Sequence, residues 1–156
     1  MDIQEVIARE EIRMGIADYC VSMDTGEMDR VLSVFAPEAI VEMYGYTCAG
    51  IDEIRSTLAS AGKLVLSVPD IAPLRHFVST QSIRLLSPQE ASSTTYVTVV
   101  GSRGVDHWGA YIDRWAKSQG QWRIARRSVT LDGFMKGSAG EKLHARAHHA
   151  VSGGVE

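Results

Sequence analysis

The sequence predicts an α+β domain in which helices come first and a largely antiparallel sheet follows. Two observations carry this. Apolar residues recur at three- and four-residue steps up to about residue 62, and from Arg75 onward four segments dense in β-branched and aromatic residues succeed one another. A third observation bounds the answer: 156 residues that are 45% hydrophobic and 22% charged make one ordinary globular domain with a sizeable core.

The elements follow in order. Ile3, Val6, Ile7, Ile12, Ile16, Tyr19 and Met23 mark a first helix over about 24 residues, with a stop at Gly26. Val31, Leu32, Val34 and Phe35 form a second short apolar face closed by Pro37. "AIVEMYGY" reads as a strand ending at Gly45, and "GIDEIRSTLASAG" as a third helix between Gly50 and Gly62. After a loop holding Pro69 and Pro73 come the four strands "RHFVSTQSIRLL", "ASSTTYVTVVGS", "WGAYIDRWAKS" and "QWRIARRSVTLD". "SPQE" and "SQGQ" suit hairpin turns, whereas "GSRGVDH" reads as a longer, mobile loop. Four successive strands after the helices favour an α+β domain over a βαβ array. The reading is one domain over residues 1–134 and a Gly-, Ala- and His-rich tail over 135–156, either disordered or docked on a neighbour.

Several function classes recede on composition. Net charge is −3, and the one basic cluster, Arg123, Arg126 and Arg127, is small, so nucleic acid is not expected as a partner. No stretch reaches the roughly 18 apolar residues of a membrane helix, and the acidic, amphipathic N-terminus does not read as a signal peptide. Cys20 and Cys48 have no CxxC spacing; reduced thiols in a cytoplasmic protein are the simplest reading, and a disulfide between them is the alternative. His144, His148 and His149 have helical spacing, but the tail offers them no nearby carboxylate or thiol ligand, so no metal is expected there.

The chemistry-bearing candidates are few. Asp24, directly after Met23, is either a helix-terminal residue facing water or a carboxylate at a cavity mouth. His76, at the start of a strand, is either a satisfied interior histidine or a group aimed at what that strand covers. A histidine held by a carboxylate in an apolar pocket is a general base, and a Tyr19 hydroxyl could stabilise a developing enolate. One geometric condition applies: residues five apart on a straight helix point roughly 140° apart. Tyr19 and Asp24 therefore share a cavity only if the helix ends before Asp24 or the cavity wraps around it. Asp106 and His107 read as loop residues that could add a second polar group. Tyr111, Asp113, Arg114 and Trp115 on one strand, and Trp122, Ile124 and Arg126 on the next, read as core aromatics with arginines facing solvent or another subunit.

Together, "MDTGEMDRVLSVFAPEAIVEMYG", "CAGIDEIRSTL", "LRHFVST" and "GAYIDRWAKSQGQWRIARRSVTLDG" resemble the SnoaL-like branch of the nuclear transport factor 2-like superfamily over about residues 5 to 134. The resemblance implies a cone-shaped barrel: a strongly curved mixed or antiparallel sheet wrapped around about three N-terminal helices, with an apolar pocket at the wide end. In site pattern it is similar to scytalone dehydratase and bile-acid 7α-dehydratase, which places Asp24 and His76 in the dyad positions, Tyr19 as a further catalytic group, and Tyr44 and His107 beside the substrate. It further implies a homo-oligomer, trimer or dimer, and a segment from Phe134 onward that folds over the pocket with Phe134 and Met135 as its apolar contacts. The activity so implied is a cofactor-independent lyase acting on an apolar cyclic carbonyl compound. The same superfamily also holds isomerases, cyclases and noncatalytic subunits or binding modules.

Overall fold

Helix α1 (Ile3–Thr25) opens on Asp2, whose carboxylate accepts the Glu5 amide, and closes on Gly26, whose φ of 75° gives a left-handed cap that few other residues would adopt. A computed structural model describes residues 2–152. α1 buries Ala8, Ile12, Ile16, Tyr19 and Cys20 along one stripe, as its spacing predicts. α2 (Met28–Ser33) is a short turn that buries Val31 and Leu32. Pro37 does not close that element. Strand β1 (Phe35–Met43) has already begun, and Pro37, with no amide to donate, falls in its irregular stretch between the pairs Phe35↔Ile124 and Ile40↔Arg126.

β1 turns into β2 (Tyr46–Ala49), a strand that the residue pattern does not announce, through Tyr44 and Gly45. Both have positive φ, 49° and 78°, the conformation a two-residue hairpin requires. α3 (Ile51–Leu66) runs one turn past Gly62. β3 (Arg75–Ser87), β4 (Glu90–Gly101), β5 (Gly104–Ser118) and β6 (Gln121–Val129) then form an antiparallel meander. "GSRGVDH" is not a long loop: Gly101 pairs with Gly104 across a two-residue turn, and Asp106 and His107 belong to β5.

The segment after Leu131 is ordered structure over its described part. β7 (Gly133–Phe134) pairs with β5 at His107 and Trp108, beyond the point where β6 ends, and α4 (Ala139–Ser152) follows. Ala139 and Leu143 are buried. The sheet has seven strands in the order β2-β1-β6-β5-β4-β3, with β7 added on β5. β1 and β6 run parallel and the other pairs antiparallel, so the sheet is mixed. It is curved but unclosed, because β2 and β3 end the path without meeting, and the barrel implied by the resemblance is an open one.

The core lies between α1–α3 and the inner face of the sheet, where Val41, Ile83, Val97, Tyr111, Trp115 and Ile124 meet Ile12, Ile16, Val31 and Ile54. Cys20 and Cys48 are free thiols in this core, and burial pushes the Cys20 thiol up to about 12. Among the described residues no helix is long and apolar enough to cross a membrane.

Candidate active site

Asp24 sits in the last turn of α1, where the helix dipole disfavours an anion and the turn itself carries no basic side chain to compensate it. The start of β3 compensates it instead. His76 Nδ1 lies 2.6 Å from Asp24 Oδ1, and the His76 backbone N–H donates to both carboxylate oxygens at 3.2 and 3.1 Å. The two side chains are only 9% and 16% exposed. Burial alone would raise the Asp24 pKa, but the hydrogen bonds from the His76 ring and amide outweigh it and hold the carboxyl below the usual carboxylate range. An ionised carboxylate can only accept, so Nδ1 carries the proton and Nε2 is left as the basic nitrogen.

A carboxyl held low when folded is charged more readily in the folded than in the unfolded chain. Its contribution to stability is complete above the ordinary carboxylate pKa of about 4 and is lost as pH falls through the folded value. Urea midpoints measured below about pH 5 should therefore decline more steeply with acid in the parent than in Asp24→Asn, which has no proton to gain at that site. Parallel declines would mean that the pair carries no such linkage.

The pair opens on a cavity of about 670 Å³ between the end of α1, α3, the Ala72–His76 segment, the sheet and α4. Its walls are mainly apolar, Met23, Met43, Leu58, Val65, Val99 and Val129 among them. α1 does not stop before Asp24. Tyr19 and Asp24 both line the cavity because it wraps around the helix end, which is the second of the two geometries the spacing allows.

Tyr19, Tyr44 and His107 also line the cavity. Tyr19 packs edge-on against Phe35 and Tyr111, with ring centroids 5.9 and 5.6 Å away. Burial raises the pKa of Tyr19 and of Tyr44, so both hydroxyls stay protonated and can donate. His107 is buried with its Nδ1 2.6 Å from Asp106 Oδ1, not exposed on a loop. Burial lowers the His107 pKa, opposed by Asp106, whereas the His107 ring and two amides of α4 hold the Asp106 carboxyl low against its own burial.

Phe134 and Met135 do not line the cavity. Phe134 is turned to the His144 ring, with centroids 5.0 Å apart, and Met135 is 52% exposed. Leu143, one turn into α4, reaches the cavity in their place. His144 and His148 meet on α4 with Nε2 atoms 3.0 Å apart, while the side chain of His149 lies outside the described residues.

Behind the cavity wall is a group that the sequence reading names only as a member of the one basic cluster. Arg127 is fully buried, with Nε and Nη2 each donating to Asp113 at 2.8 Å. Its guanidinium lies 4.3 Å from the Tyr19 ring centroid and 4.2 Å from that of Tyr111, which also lines the cavity. Burial works against its charge, but Asp113 keeps it protonated. The signal that could have found it is Asp113, a carboxylate between inward aromatics on a strand.

The SnoaL-like domain family matches residues 4–128. No curated protein matches the chain. Among solved structures, a scytalone dehydratase-like protein of Novosphingobium aromaticivorans superimposes with a TM-score of 0.74 at 20% identity, covering 86% of this chain and 91% of that one. A protein of unknown function from Mycobacterium tuberculosis gives 0.73 at 21% identity, covering 95% and 89%. Hexachlorocyclohexane dehydrochlorinase LinA-type3 from Novosphingobium barchaimii gives 0.72 at 15% identity, covering 86% and 93%. At these identities the solved structures speak for the fold, and the match over residues 4–128 speaks for the family. The chain belongs to the SnoaL-like domain family, within the nuclear transport factor 2-like superfamily.

Proposed function

We propose that the protein is a cofactor-independent lyase that removes water, or another β leaving group, from an apolar cyclic compound bearing a carbonyl. The observation that carries this reading is the Asp24–His76 pair: a 2.6 Å contact between nearly buried groups at the mouth of an apolar cavity. A cavity of about 670 Å³ falls within the range of about 300–1,000 Å³ usual for small-molecule sites. In the proposed step His76 Nε2 takes the α-proton while Asp24 stabilises the imidazolium. The electron pair released moves toward the carbonyl oxygen, which accepts a hydrogen bond from the Tyr19 hydroxyl. The enolate then re-forms the carbonyl, the new C=C bond replaces the bond to the β-oxygen, and the departing hydroxide leaves as water with the proton His76 held. Two structural neighbours are named for eliminations, a dehydratase and a dehydrochlorinase, which agrees with this chemistry.

The same dyad would serve an isomerase or cyclase working through the same enolate. A noncatalytic binding module or subunit is the rival from another class, and a carboxylate turned inward onto an imidazole at a cavity mouth favours the enzyme. The discriminating experiment offers the protein a panel of cyclic β-hydroxy ketones and cyclic β,γ-unsaturated ketones in D₂O and follows them by NMR. Enone formation is the expected result. α-Deuteration with double-bond migration and no loss of water would make the protein an isomerase. Saturable binding with neither would make it a binding module and overturn the proposal.

A further inference from the structure

We propose that Asp106 is a positioning residue that ties the docking of α4 to the presentation of His107, so that the second imidazole of the cavity is set only while α4 is seated. One carboxylate makes every contact involved. Asp106 Oδ1 meets His107 Nδ1 at 2.6 Å and accepts the Gly140 amide at 2.9 Å, while Oδ2 accepts the Ala139 amide at 3.0 Å. These are the first two amides of α4, the end of a helix that favours an anion. The Asp106 carbonyl also accepts the Met135 amide at 2.9 Å, which fixes the lead into the helix.

The first turn of α4 lies directly on the imidazole. A Cβ on Gly140 would stand 2.4 Å from His107 Cβ and 3.0 Å from Cγ, so the approach depends on glycine there. With Nδ1 taken by Asp106, the tautomer that donates to the carboxylate leaves Nε2 as the acceptor in a cavity-lining residue. Undocking α4 removes two donors from Asp106 and the cover from His107 in one motion. The charged and titratable groups that act on the ring are Asp106 on its own strand and His76 of β3, with Asp24 of α1 behind it; on α4, Glu141 accepts the Gly137 amide and His144 packs on Phe134. Use of Nε2 in turnover rests on the elimination reading; the coupling does not, and its test needs no substrate.

The test uses the full chain and NMR, with His107 assigned by comparison with His107→Gln. Gly140→Ala forces the first turn of α4 off the ring and leaves Asp106 chemically intact. Expected are amide exchange at positions 139 and 140 faster by about tenfold or more, as for amides losing a charged partner, together with mixed His107 tautomer signals and titration nearer the ordinary histidine range. Ser138→Ala, which removes only the bond from the Glu141 amide to the Ser138 hydroxyl, should produce the same pair of changes in smaller measure. In Asp106→Asn both readouts should move most. Faster exchange with His107 unmoved would make Asp106 a helix cap and nothing more, and unchanged exchange with unchanged His107 in Gly140→Ala would equally overturn the coupling.

Discussion

In His76→Ala, kcat on a confirmed substrate should fall by about 10²–10⁴-fold with the fold intact, because a positioned general base contributes on that order. Its Nε2 is the basic nitrogen that the Asp24 contact leaves at the cavity mouth, so truncation removes the proton acceptor and leaves the apolar walls that bind substrate. KM should change little. Asp24→Asn should cost about 10²-fold or more in kcat for a different reason. The amide can still accept from Nδ1, but it brings no charge to stabilise the imidazolium, and its NH₂, if turned inward, selects the wrong tautomer. The double variant should be about as slow as His76→Ala alone, since the two side chains act as one unit. Turnover within a few-fold of the parent in either single variant would end the dyad assignment.

Asp113→Ala should be the most damaging substitution away from the dyad, costing about 3–5 kcal/mol of stability, because it leaves the Arg127 cation buried without a counter-charge. Among the described residues Arg127 Nη1 has no hydrogen-bond partner, so the Asp113 bonds carry nearly all of the guanidinium's polar satisfaction. The faces of Tyr19 and Tyr111 attract a guanidinium only weakly, by about 0.5–2 kcal/mol each, and cannot replace a carboxylate. A urea midpoint lowered by more than about 1 M at constant slope is the measurement that checks this. The double replacement Asp113→Leu with Arg127→Met should recover much of the loss, since well-packed apolar residues often match or exceed a buried ion pair. An Asp113→Ala chain as stable as the parent would mean that water or another group reaches Arg127. The pair also backs Tyr19, so the wall that carries a proposed catalytic hydroxyl depends on an ion pair outside the cavity lining.

The parts of this site that could be read in the sequence, and those that could not, divide on a physical line. Asp24 and His76 stand out by residue type and by a resemblance that quotes their neighbours, "MDTGEMD" and "LRHFVST". Their 2.6 Å contact joins residues 52 apart and exists only because the end of α1 packs on the start of β3. Asp106 and His107 read as loop residues because "GSRG" looks like a long break. The strand register instead spends only Ser102 and Arg103 on the turn. Arg127 is hidden by a smaller event. Trp115 pairs with Ile124 and Arg114 with Arg126, so Ala125 is an extra residue on β6. A one-residue bulge reverses the alternation and carries Arg127 inward where the period points to Arg126.

The sequence by itself determined the α+β class, the order of three helices before a meander, the buried stripe of α1 and most strand spans, because periodicity and turn residues act locally. Tertiary structure alone decided the parallel pairing of β1 with β6, the bulge that buries Arg127, and the helix built from a segment that composition marks as a tail. It also brought both imidazoles to one cavity. α4 is short of large apolar residues; Ala139 is buried with Val68 and Ile71, and the helix rests on α3, β5 and β7, surfaces that exist only once the sheet and α3 are assembled. Local chemistry sets what each segment prefers. Which carboxylate meets which histidine is a matter of register and packing between distant segments, and no local pattern encodes it.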